Sequence, residues 1–320
     1  MTERPHVTAI QAKVDSIRNV ISNIIVGQPA AIDMFLAALV SNGHILVEGP
    51  PGVAKTLLAR LMAKLVDVPF TRIQFTPDLM PADITGTSVF DPRTLEFTYR
   101  KGPVFASVVL ADEINRAPAK TQAALFEAME ERQVTVDGST YGLPDPFMVV
   151  ATQNPIEQEG TYRLPEAQLD RFLIKILVPY PTVTEEADIL RRHGAGSAVD
   201  AVSQIQSIIS AGELAAWREA VRTVIVEDSI INYIATIVHA TRTSSALYIP
   251  ASPRASLGIL TMAKAMAVLQ GRDFVVPDDV QSVAAPVLRH RIQLLPEREM
   301  EGYVPDSVVR DILKTVEVPR

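Results

Sequence analysis

The chain contains no cysteine among its 320 residues, and its five histidines are scattered without a pair at metal-ligand spacing. Disulfide bonds and thiolate-bound metals are therefore excluded, and a histidine-based metal centre is not indicated. The absence of cysteine is compatible with a reducing compartment.

An excess of positive charge is also missing, since 30 basic and 37 acidic residues give a formal net charge of −7. This balance gives no electrostatic reason to expect nucleic acid as the main partner. A local basic channel stays compatible with the composition, so a nucleic-acid motor remains an alternative at this point.

No apolar run is long enough for a membrane span. The longest apolar region, residues 24–40, is broken by Gly27, Gln28, Pro29 and Asp33. The N-terminal segment MTERPHVTAIQAKVDS does not show the basic, apolar and small-residue regions of a signal peptide in that order. We therefore expect a cytoplasmic protein, and its 320 residues favour two domains with separate cores.

The segment 49-GPPGVAKT-56 comes close to the phosphate-binding pattern G-x-x-x-x-G-K-[ST]. It follows the apolar run 44-HILVEG-49, which predicts a buried parallel strand, and it precedes apolar residues at helical spacing in 55–66. In such a strand–loop–helix unit, backbone N–H groups surround phosphates, Lys55 supplies a positive charge and the Thr56 hydroxyl can bind Mg²⁺. The alternative is a tight turn that merely begins a helix.

One position of this loop departs from the general pattern, because Ala54 stands where glycine is expected. A methyl group is tolerated there if the local backbone is already helical. It is costly if the backbone requires a positive φ angle. The sequence leaves these two cases open.

A second strand-like run, 105-FASVVLADEINRA-117, ends in two adjacent carboxylates. Asp112 could hold Mg²⁺ through water, and Glu113 could polarise a water molecule for attack on a γ-phosphate. A simple acidic helix cap is the alternative for one carboxylate. It is less natural for two carboxylates at the mouth of a buried strand.

Two further strand-like runs carry polar residues beside them. The run 147-FMVVATQNP-155 contains Asn154 near its end, and its amide could orient the attacking water or contact the γ-phosphate. A turn asparagine before proline is the alternative. The run 173–179 is preceded by Arg163 and Arg171, which singly are compatible with surface or ion-paired arginines.

The order of GPPGVAKT, VVLADEINRA, VVATQNP and RLPEAQLDRF resembles AAA+ ATPases and, among them, the MoxR group, over roughly residues 20 to 300. Alanine before the lysine is itself a feature of MoxR proteins, so the resemblance implies a working nucleotide site. The implied fold is an α/β phosphate-loop core, with a parallel sheet flanked by helices, over residues 1–180. A smaller all-α lid domain is expected over residues 181–320.

The resemblance also implies roles for individual residues. Lys55 and Thr56 correspond to the Walker A lysine and the Mg²⁺ hydroxyl, Asp112 and Glu113 to the Walker B metal and catalytic carboxylates, and Asn154 to sensor 1. Arg171 corresponds to the arginine finger, which reaches the ATP of a neighbouring subunit, and Arg163 is expected to assist it. The implied nucleotide-binding residues are Val26, Gly27, Gln28, Gly49, Pro50, Pro51, Gly52, Val53, Ala54, Lys55, Thr56, Leu57 and Arg254.

Arg254 lies in the C-terminal region, where apolar spacing predicts helices. Ser252 is a predicted N-cap and Pro253 a predicted first-turn residue, so Arg254 stands where the helix dipole disfavours a cation. A solvated arginine is the plain interpretation. The resemblance implies sensor 2, a residue that contacts the nucleotide from the lid.

Two hairpins are predicted within the core region. Asp137-Gly138 joins two alternating runs in 131–147, and a DPRT turn joins two others in 88–105. The resemblance implies that these are a pre-sensor 1 hairpin and a helix-2 insert, the latter preceded by 77-PDLMPADITG-86, both projecting toward the pore of a ring. The alternative is ordinary decoration at the edge of a sheet.

The function implied by the resemblance is ATP hydrolysis with Mg²⁺ by a homo-oligomeric ring, a hexamer, that remodels or activates protein clients. The partner would be a separate protein with a von Willebrand factor A domain, in metalloenzyme maturation or a stress response. Besides a nucleic-acid motor, one alternative is a scaffold that binds ATP but scarcely hydrolyses it. A small-molecule kinase would not need the distant arginines.

Overall fold

The computed structural model describes residues 7–154, 162, 164–193, 202 and 205–319. Arg163 lies outside the described residues. The helices are α1 (Val7–Ile24), α2 (Pro29–Val40), α3 (Lys55–Leu65), α4 (Pro81–Thr85), α5 (Ala119–Glu131), α6 (Glu166–Leu169), α7 (Val183–His193), α8 (Ala211–Thr223), α9 (Asp228–Thr243), α10 (Pro253–Leu269), α11 (Pro277–Leu288), α12 (Pro296–Met300) and α13 (Pro305–Thr315). The strands are β1 (Ile45–Glu48), β2 (Phe70–Gln74), β3 (Gly86–Asp91), β4 (Glu96–Lys101), β5 (Val108–Asp112), β6 (Gln133–Val136), β7 (Ser139–Gly142), β8 (Met148–Gln153), β9 (Ile174–Leu177), β10 (Leu247–Ile249) and β11 (Gln293–Leu294).

Five of these strands form one parallel sheet in the order β2-β5-β8-β1-β9. Its central strands are apolar on both faces, and every residue of β5 is buried. This is the pattern expected when helices cover both faces of a parallel sheet. Since all five strands run the same way, their carboxyl ends meet at one edge, which we call the carboxyl edge. The opposite edge is the amino edge.

The two faces of the sheet belong to two separate hydrophobic clusters because side chains alternate along each strand. In β1, Ile45 and Val47 join the cluster that contains α1, α2 and α3, whereas Leu46 joins the cluster under α5. The α/β core flanked by helices is therefore confirmed.

The C-terminal region is helical, as expected for a lid: its described residues after 205 form α8 to α13 and the short antiparallel ribbon of β10 and β11. Its helices share the first hydrophobic cluster with α1 and α2, so apolar packing continues from the core into the lid. The division at residue 180 stays a prediction. In the described part of the chain, none of the helices is both long enough and apolar enough to cross a membrane.

Two hairpins extend from the core, as the turn signals predict. Asp137 and Gly138 both have positive φ angles, which is the geometry that a two-residue hairpin turn requires. The β3–β4 hairpin contacts the β6–β7 hairpin, because the rings of Tyr99 and Tyr141 stack with their centroids 4.3 Å apart. A hydrogen bond of 2.5 Å from Ser88 Oγ to Asp137 Oδ2 adds a second contact.

A buried arginine joins the lid to the core. Arg291 follows α11, its side chain is only 4% exposed, and its Nε donates to Asp170 Oδ1 at 2.7 Å. Its Nη groups donate to the carbonyl oxygens of Phe172, Leu173 and Val287 at 2.6, 2.9 and 2.6 Å. Burial lowers the pKa of Arg291, and the Asp170 carboxylate opposes that shift. The segment 170–173 is therefore tied to the lid.

We expect Arg291→Met to lower the free energy of unfolding by about 3 kcal/mol, because a largely buried carboxylate and several carbonyl groups lose their donor. Urea denaturation followed by circular dichroism measures the change. Arg298→Met is the control, since the Arg298 side chain pairs with Glu301 and lies over the Tyr303 ring at the exposed end of α12, away from the core. We expect Arg298→Met to change the free energy of unfolding by no more than about 0.5 kcal/mol. Equal effects of the two substitutions would contradict the assignment of Arg291 as a tie between lid and core.

Candidate functional site

The loop between β1 and α3 has the close-approach geometry that phosphate binding requires. A Cβ atom on Gly49 would lie 2.4 Å from the carbonyl oxygen of Val178, so only glycine fits there. Gly52 has a φ angle of +84°. The helix α3 begins directly at Lys55. The free N–H groups of its first turn therefore face the loop.

Ala54 adopts a left-handed conformation, with φ 61° and ψ 19°. The sequence left open whether the backbone at this position is helical or has a positive φ angle, and the structure shows the positive φ angle, which is costly for alanine. Left-handed backbone costs a residue with a Cβ atom about 1–2 kcal/mol relative to the right-handed form. The strain lies in the phosphate loop itself, where strained backbone often accompanies function.

We expect Ala54→Gly to raise the free energy of unfolding by about 0.5–1 kcal/mol. Glycine removes the cost of the left-handed backbone, but it also raises the conformational entropy of the unfolded chain, which offsets part of the stabilisation. Thermal unfolding without added nucleotide measures it. The matched control is Ala216→Gly at an exposed position inside α8, which should lower stability by about 1 kcal/mol. If the two substitutions change stability in the same direction, Ala54 is not strained.

Lys55 lies in the loop with its ammonium group surrounded by carbonyl oxygens. Its Nζ donates to the carbonyl of Gly49, and further to those of Pro50 at 3.2 Å and Gln153 at 3.4 Å. Burial lowers the pKa of Lys55, while the charges of Asp112, Glu113 and Glu48 act in the opposite direction. Lys55 therefore places a positive charge between the loop and the carboxyl end of β8.

Asp112 is the last residue of β5, and both oxygens of its buried carboxylate accept hydrogen bonds. Thr152 Oγ1 donates to Oδ1 at 2.5 Å, and Thr56 Oγ1 donates to Oδ2 at 3.4 Å. Arg72 pairs with Oδ2 at 2.7 Å. The Thr56 hydroxyl and Oδ2 thus lie nearly as close as two oxygens bound to one octahedral Mg²⁺, which are about 3 Å apart.

This donor set fits Mg²⁺ with a nucleotide. Among the described residues there is no group of three or more His, Asp or Glu side chains that could hold a metal. A hydroxyl and a single carboxylate are what Mg²⁺ uses when phosphate oxygens and water complete its coordination. Bound there, the ion would neutralise charge on the phosphates.

Glu113 follows Asp112 in a left-handed conformation with φ 57°. Its backbone N–H donates to Thr152 Oγ1 at 2.9 Å, so the same threonine supports both carboxylate residues. The Glu113 carboxylate accepts a hydrogen bond from Gln74 Nε2 at 2.8 Å and pairs with Arg116 at 3.2 Å. Asn154 lies just beyond β8 and is buried. These groups meet at the carboxyl edge beside the phosphate loop.

Val26, Gly27 and Gln28 lie between α1 and α2, and Gln28 contacts the phosphate loop. Gln28 Nε2 donates to the carbonyl of Val53 at 3.4 Å. A Cβ atom on Gly27 would lie 2.3 Å from Glu185 Oε1, so this turn packs closely against the start of α7. The segment expected beside the adenine is therefore joined to the phosphate loop.

Arg171 and Arg254 lie together at the amino edge. Leu173 N donates to the carbonyl of His44, the residue before β1, at 2.8 Å, which places the Arg171 segment where β1 begins. Both arginines pair with Glu130, Arg254 at 3.6 Å. The four residues of β1, about 13 Å of strand, separate this edge from the phosphate loop. Arg254 lies beside Arg171, and its contact with a nucleotide from the lid stays a prediction.

Sequence reasoning missed four polar residues of the site, namely Arg72, Gln74, Thr152 and Arg116. Alternation along a strand puts Arg72 and Gln74 on one face, and Thr152 precedes Asn154 by two residues, so period-two spacing was the available signal. The pairing of Gln74 with Asp112 in the register of β2 and β5 is visible only in the structure.

The chain matches known proteins along most of its length. Residues 44–174 match the model of the ATPase family associated with various cellular activities (AAA), and residues 239–312 match the AAA lid domain. The uncharacterized protein YeaC of Bacillus subtilis is 46% identical over 299 residues, which are 93% of this chain and 92% of YeaC. Chaperone MoxR1 of Mycobacterium tuberculosis is 45% identical over 309 residues, which are 94% of this chain and 81% of MoxR1.

A solved structure agrees over the whole fold. The crystal structure of a candidate ATPase from Cytophaga hutchinsonii superposes with a TM-score of 0.89 and 40% sequence identity, covering 98% of this chain and 97% of that one. The match includes both the sheet with its phosphate loop and the helical lid. The chain is therefore an ATP-hydrolysing member of the MoxR family of AAA+ ATPases.

Proposed function

We propose that this MoxR-type ATPase works as a homo-oligomeric ring, a hexamer, in which each ATP lies between two subunits. The observation that carries the proposal is the separation of Lys55, Asp112 and Glu113 from Arg171 and Arg254 by the length of the sheet. A second copy can supply its arginine-bearing amino edge to the carboxyl edge of the first. Such a head-to-tail contact uses two different surfaces, and repetition of it forms a ring when the rotation between subunits closes.

Each residue has a role in this proposal. Residues Gly49, Pro50, Pro51, Gly52, Val53, Ala54, Lys55, Thr56 and Leu57 bind the phosphates, and Val26, Gly27 and Gln28 lie beside the adenine. Thr56 and Asp112 hold Mg²⁺, Glu113 takes a proton from the attacking water, and Asn154 orients that water. Arg163 assists Arg171, an assignment supported by sequence alone.

Arg171 and Arg254 act together in the neighbouring site. This role is supported by the pairing of both arginines with the same carboxylate, that of Glu130. The side chain of Glu130 is 41% exposed and that of Arg254 is 58% exposed. An anion presented by the neighbouring subunit would compete with Glu130 for these cations. A phosphate with several negative oxygens competes well, because arginine binds planar sets of oxygens through two donors at once.

Protein clients contact the two hairpins. The tip of the β3–β4 hairpin exposes Phe90, Leu95 and Phe97, of which Leu95 is 75% and Phe97 74% exposed. Exposed apolar groups of this size are typical of surfaces that bind other proteins. The stacking of Tyr99 on Tyr141 links the first hairpin to the second, so a client that displaces one hairpin also moves the other. The relative MoxR1 is named a chaperone.

The experiment is the capture of partners with Glu113→Gln, which should bind ATP and remain assembled. The variant is recovered from its native cells with ATP present, treated with nuclease and analysed by light scattering and mass spectrometry. Lys55→Ala, which should not bind nucleotide, is the control. ATP-dependent recovery of a hexamer with a von Willebrand factor A protein supports the proposal. Nucleic acid retained without any such protein favours a motor, and a monomer with bound ATP contradicts the ring.

A further inference from the structure

One carboxylate oxygen of Asp112 accepts hydrogen bonds from both Thr56 and Arg72. Oδ2 accepts a bond of 3.4 Å from the Thr56 hydroxyl, and it also accepts Arg72 Nε at 3.0 Å and Arg72 Nη2 at 2.7 Å. The other oxygen, Oδ1, is taken by Thr152 at 2.5 Å. The oxygen beside Thr56, where Mg²⁺ would lie, is therefore the one that the Arg72 guanidinium holds with two donors.

Arg72 is positioned for this contact by its strand. It is the third residue of β2, where it pairs with Leu110 of β5, and Gln74 pairs with Asp112. Both side chains lie on the same face, and Arg72 Nη2 donates to Gln74 Oε1 at 2.7 Å. The Arg72 side chain is 51% exposed, whereas that of Asp112 is 11% exposed. The guanidinium can therefore leave into solvent, while the carboxylate stays in place.

We propose that Arg72 is a built-in counter-ion of Asp112 that Mg²⁺ must displace from Oδ2 when nucleotide binds. This inference rests on the proposed assignment of Thr56 and Asp112 to Mg²⁺. A cation already paired with Oδ2 repels a second cation and occupies lone pairs that Mg²⁺ or its bound water needs. The two positive charges exclude each other at this oxygen, so metal binding requires the additional negative charge of the nucleotide phosphates.

The consequence is that Arg72 raises the Mg²⁺ concentration needed to load the site. It is a positioning residue, because its effect passes through Asp112. Partly exposed ion pairs contribute roughly 1 kcal/mol, which corresponds to about a fivefold change in an equilibrium constant. Arg72→Gln should therefore load Mg²⁺ at a concentration about fivefold lower than the native chain.

The test is a titration of Mg²⁺ against binding of a fluorescent ADP analogue, so the readout is binding and not hydrolysis. The native chain is compared with Arg72→Gln and Arg72→Lys, and with Arg310→Gln as a charge-matched control at an exposed position of α13. Arg72→Lys keeps the charge without the fork of two donors and should lie between the native chain and Arg72→Gln. An unchanged or higher Mg²⁺ requirement in Arg72→Gln overturns the proposal, and so does an equal decrease in the control.

Asp112→Asn separates failure of this inference from failure of the site assignment. If Asp112→Asn removes the Mg²⁺ dependence but Arg72→Gln leaves it unchanged, the metal site is correct and the role of Arg72 is wrong. If Asp112→Asn leaves the dependence unchanged, the metal assignment itself fails. Thermal unfolding of each variant reports whether it is folded, and Arg72→Lys keeps the test decisive if Arg72→Gln is not.

Discussion

Glu113→Gln is expected to lower the rate of ATP hydrolysis by about 10²–10⁴-fold and to leave nucleotide affinity within about twofold of the native chain. The amide has nearly the shape of the carboxylate, and its oxygen can still accept the hydrogen bond from Gln74 Nε2. It cannot take a proton from water. Binding is preserved because it depends on the phosphate loop, where Lys55 and Thr56 are unchanged. Phosphate release and binding of a fluorescent ATP analogue measure the two quantities separately.

The control for this substitution is Glu131→Gln, which removes an equal charge from an exposed position at the end of α5. It should leave hydrolysis unchanged. Lys55→Ala should lose nucleotide binding, and so distinguishes failure to bind from failure to hydrolyse. An unchanged rate of phosphate release in Glu113→Gln would show that Glu113 is not the base, and would favour a scaffold that binds ATP with little turnover.

We expect Arg171→Ala to lower the hydrolysis rate of the assembled protein by about 10³-fold or more, the loss typical of a missing arginine finger. Nucleotide affinity of the isolated chain should not change, because Arg171 lies at the amino edge and donates there to the carbonyl of Phe126 at 3.0 Å. The measurement is phosphate release at a protein concentration that gives complete assembly. Arg171→Lys should recover little activity, since a single ammonium group does not reproduce the planar fork.

Mixing the two inactive variants tests whether Arg171 acts on a neighbour. An Arg171→Ala subunit still has Glu113, and a Glu113→Gln subunit still has Arg171. An interface to which the first contributes Glu113 and the second contributes Arg171 therefore has both residues. A random equal mixture should recover about a quarter of the native sites. If the mixture stays inactive although both variants assemble and melt at the native temperature, Arg171 does not act across the interface. Recovery in the mixture would also confirm that ATP lies between subunits.

Several parts of the site could be predicted from sequence because they depend on short-range chemistry. The strand, glycine loop and helix around Lys55 are contiguous, and so is the buried strand that ends at Asp112. The hairpin at Asp137-Gly138 follows from the positive φ angles that this dipeptide tolerates. The strain at Ala54 could not be predicted, since the same residue type fits helical and left-handed backbone and only the loop geometry decides between them.

The groups around Asp112 were missed for a different reason. Arg72 and Thr152 each lie 40 residues from Asp112 along the chain and reach it only through the register of adjacent parallel strands. Arg72 lies outside the motifs and Thr152 lies within VVATQNP without an assigned role, and a single arginine or threonine in a strand is unremarkable in a sequence. Their functional meaning comes from the atom that they contact.

By itself, the sequence predicted a nucleotide site with a phosphate loop, two carboxylates and an asparagine, because each of these lies at the end of a local strand pattern. Only the tertiary structure decided where the arginines stand. A parallel sheet brings the ends of β1, β5 and β8 to one edge, while the segments that lead into its strands lie at the other. Arg171 precedes β9 and Arg254 lies in the first turn of α10 near Asp170, so both are about one strand length from the phosphate loop of their own chain.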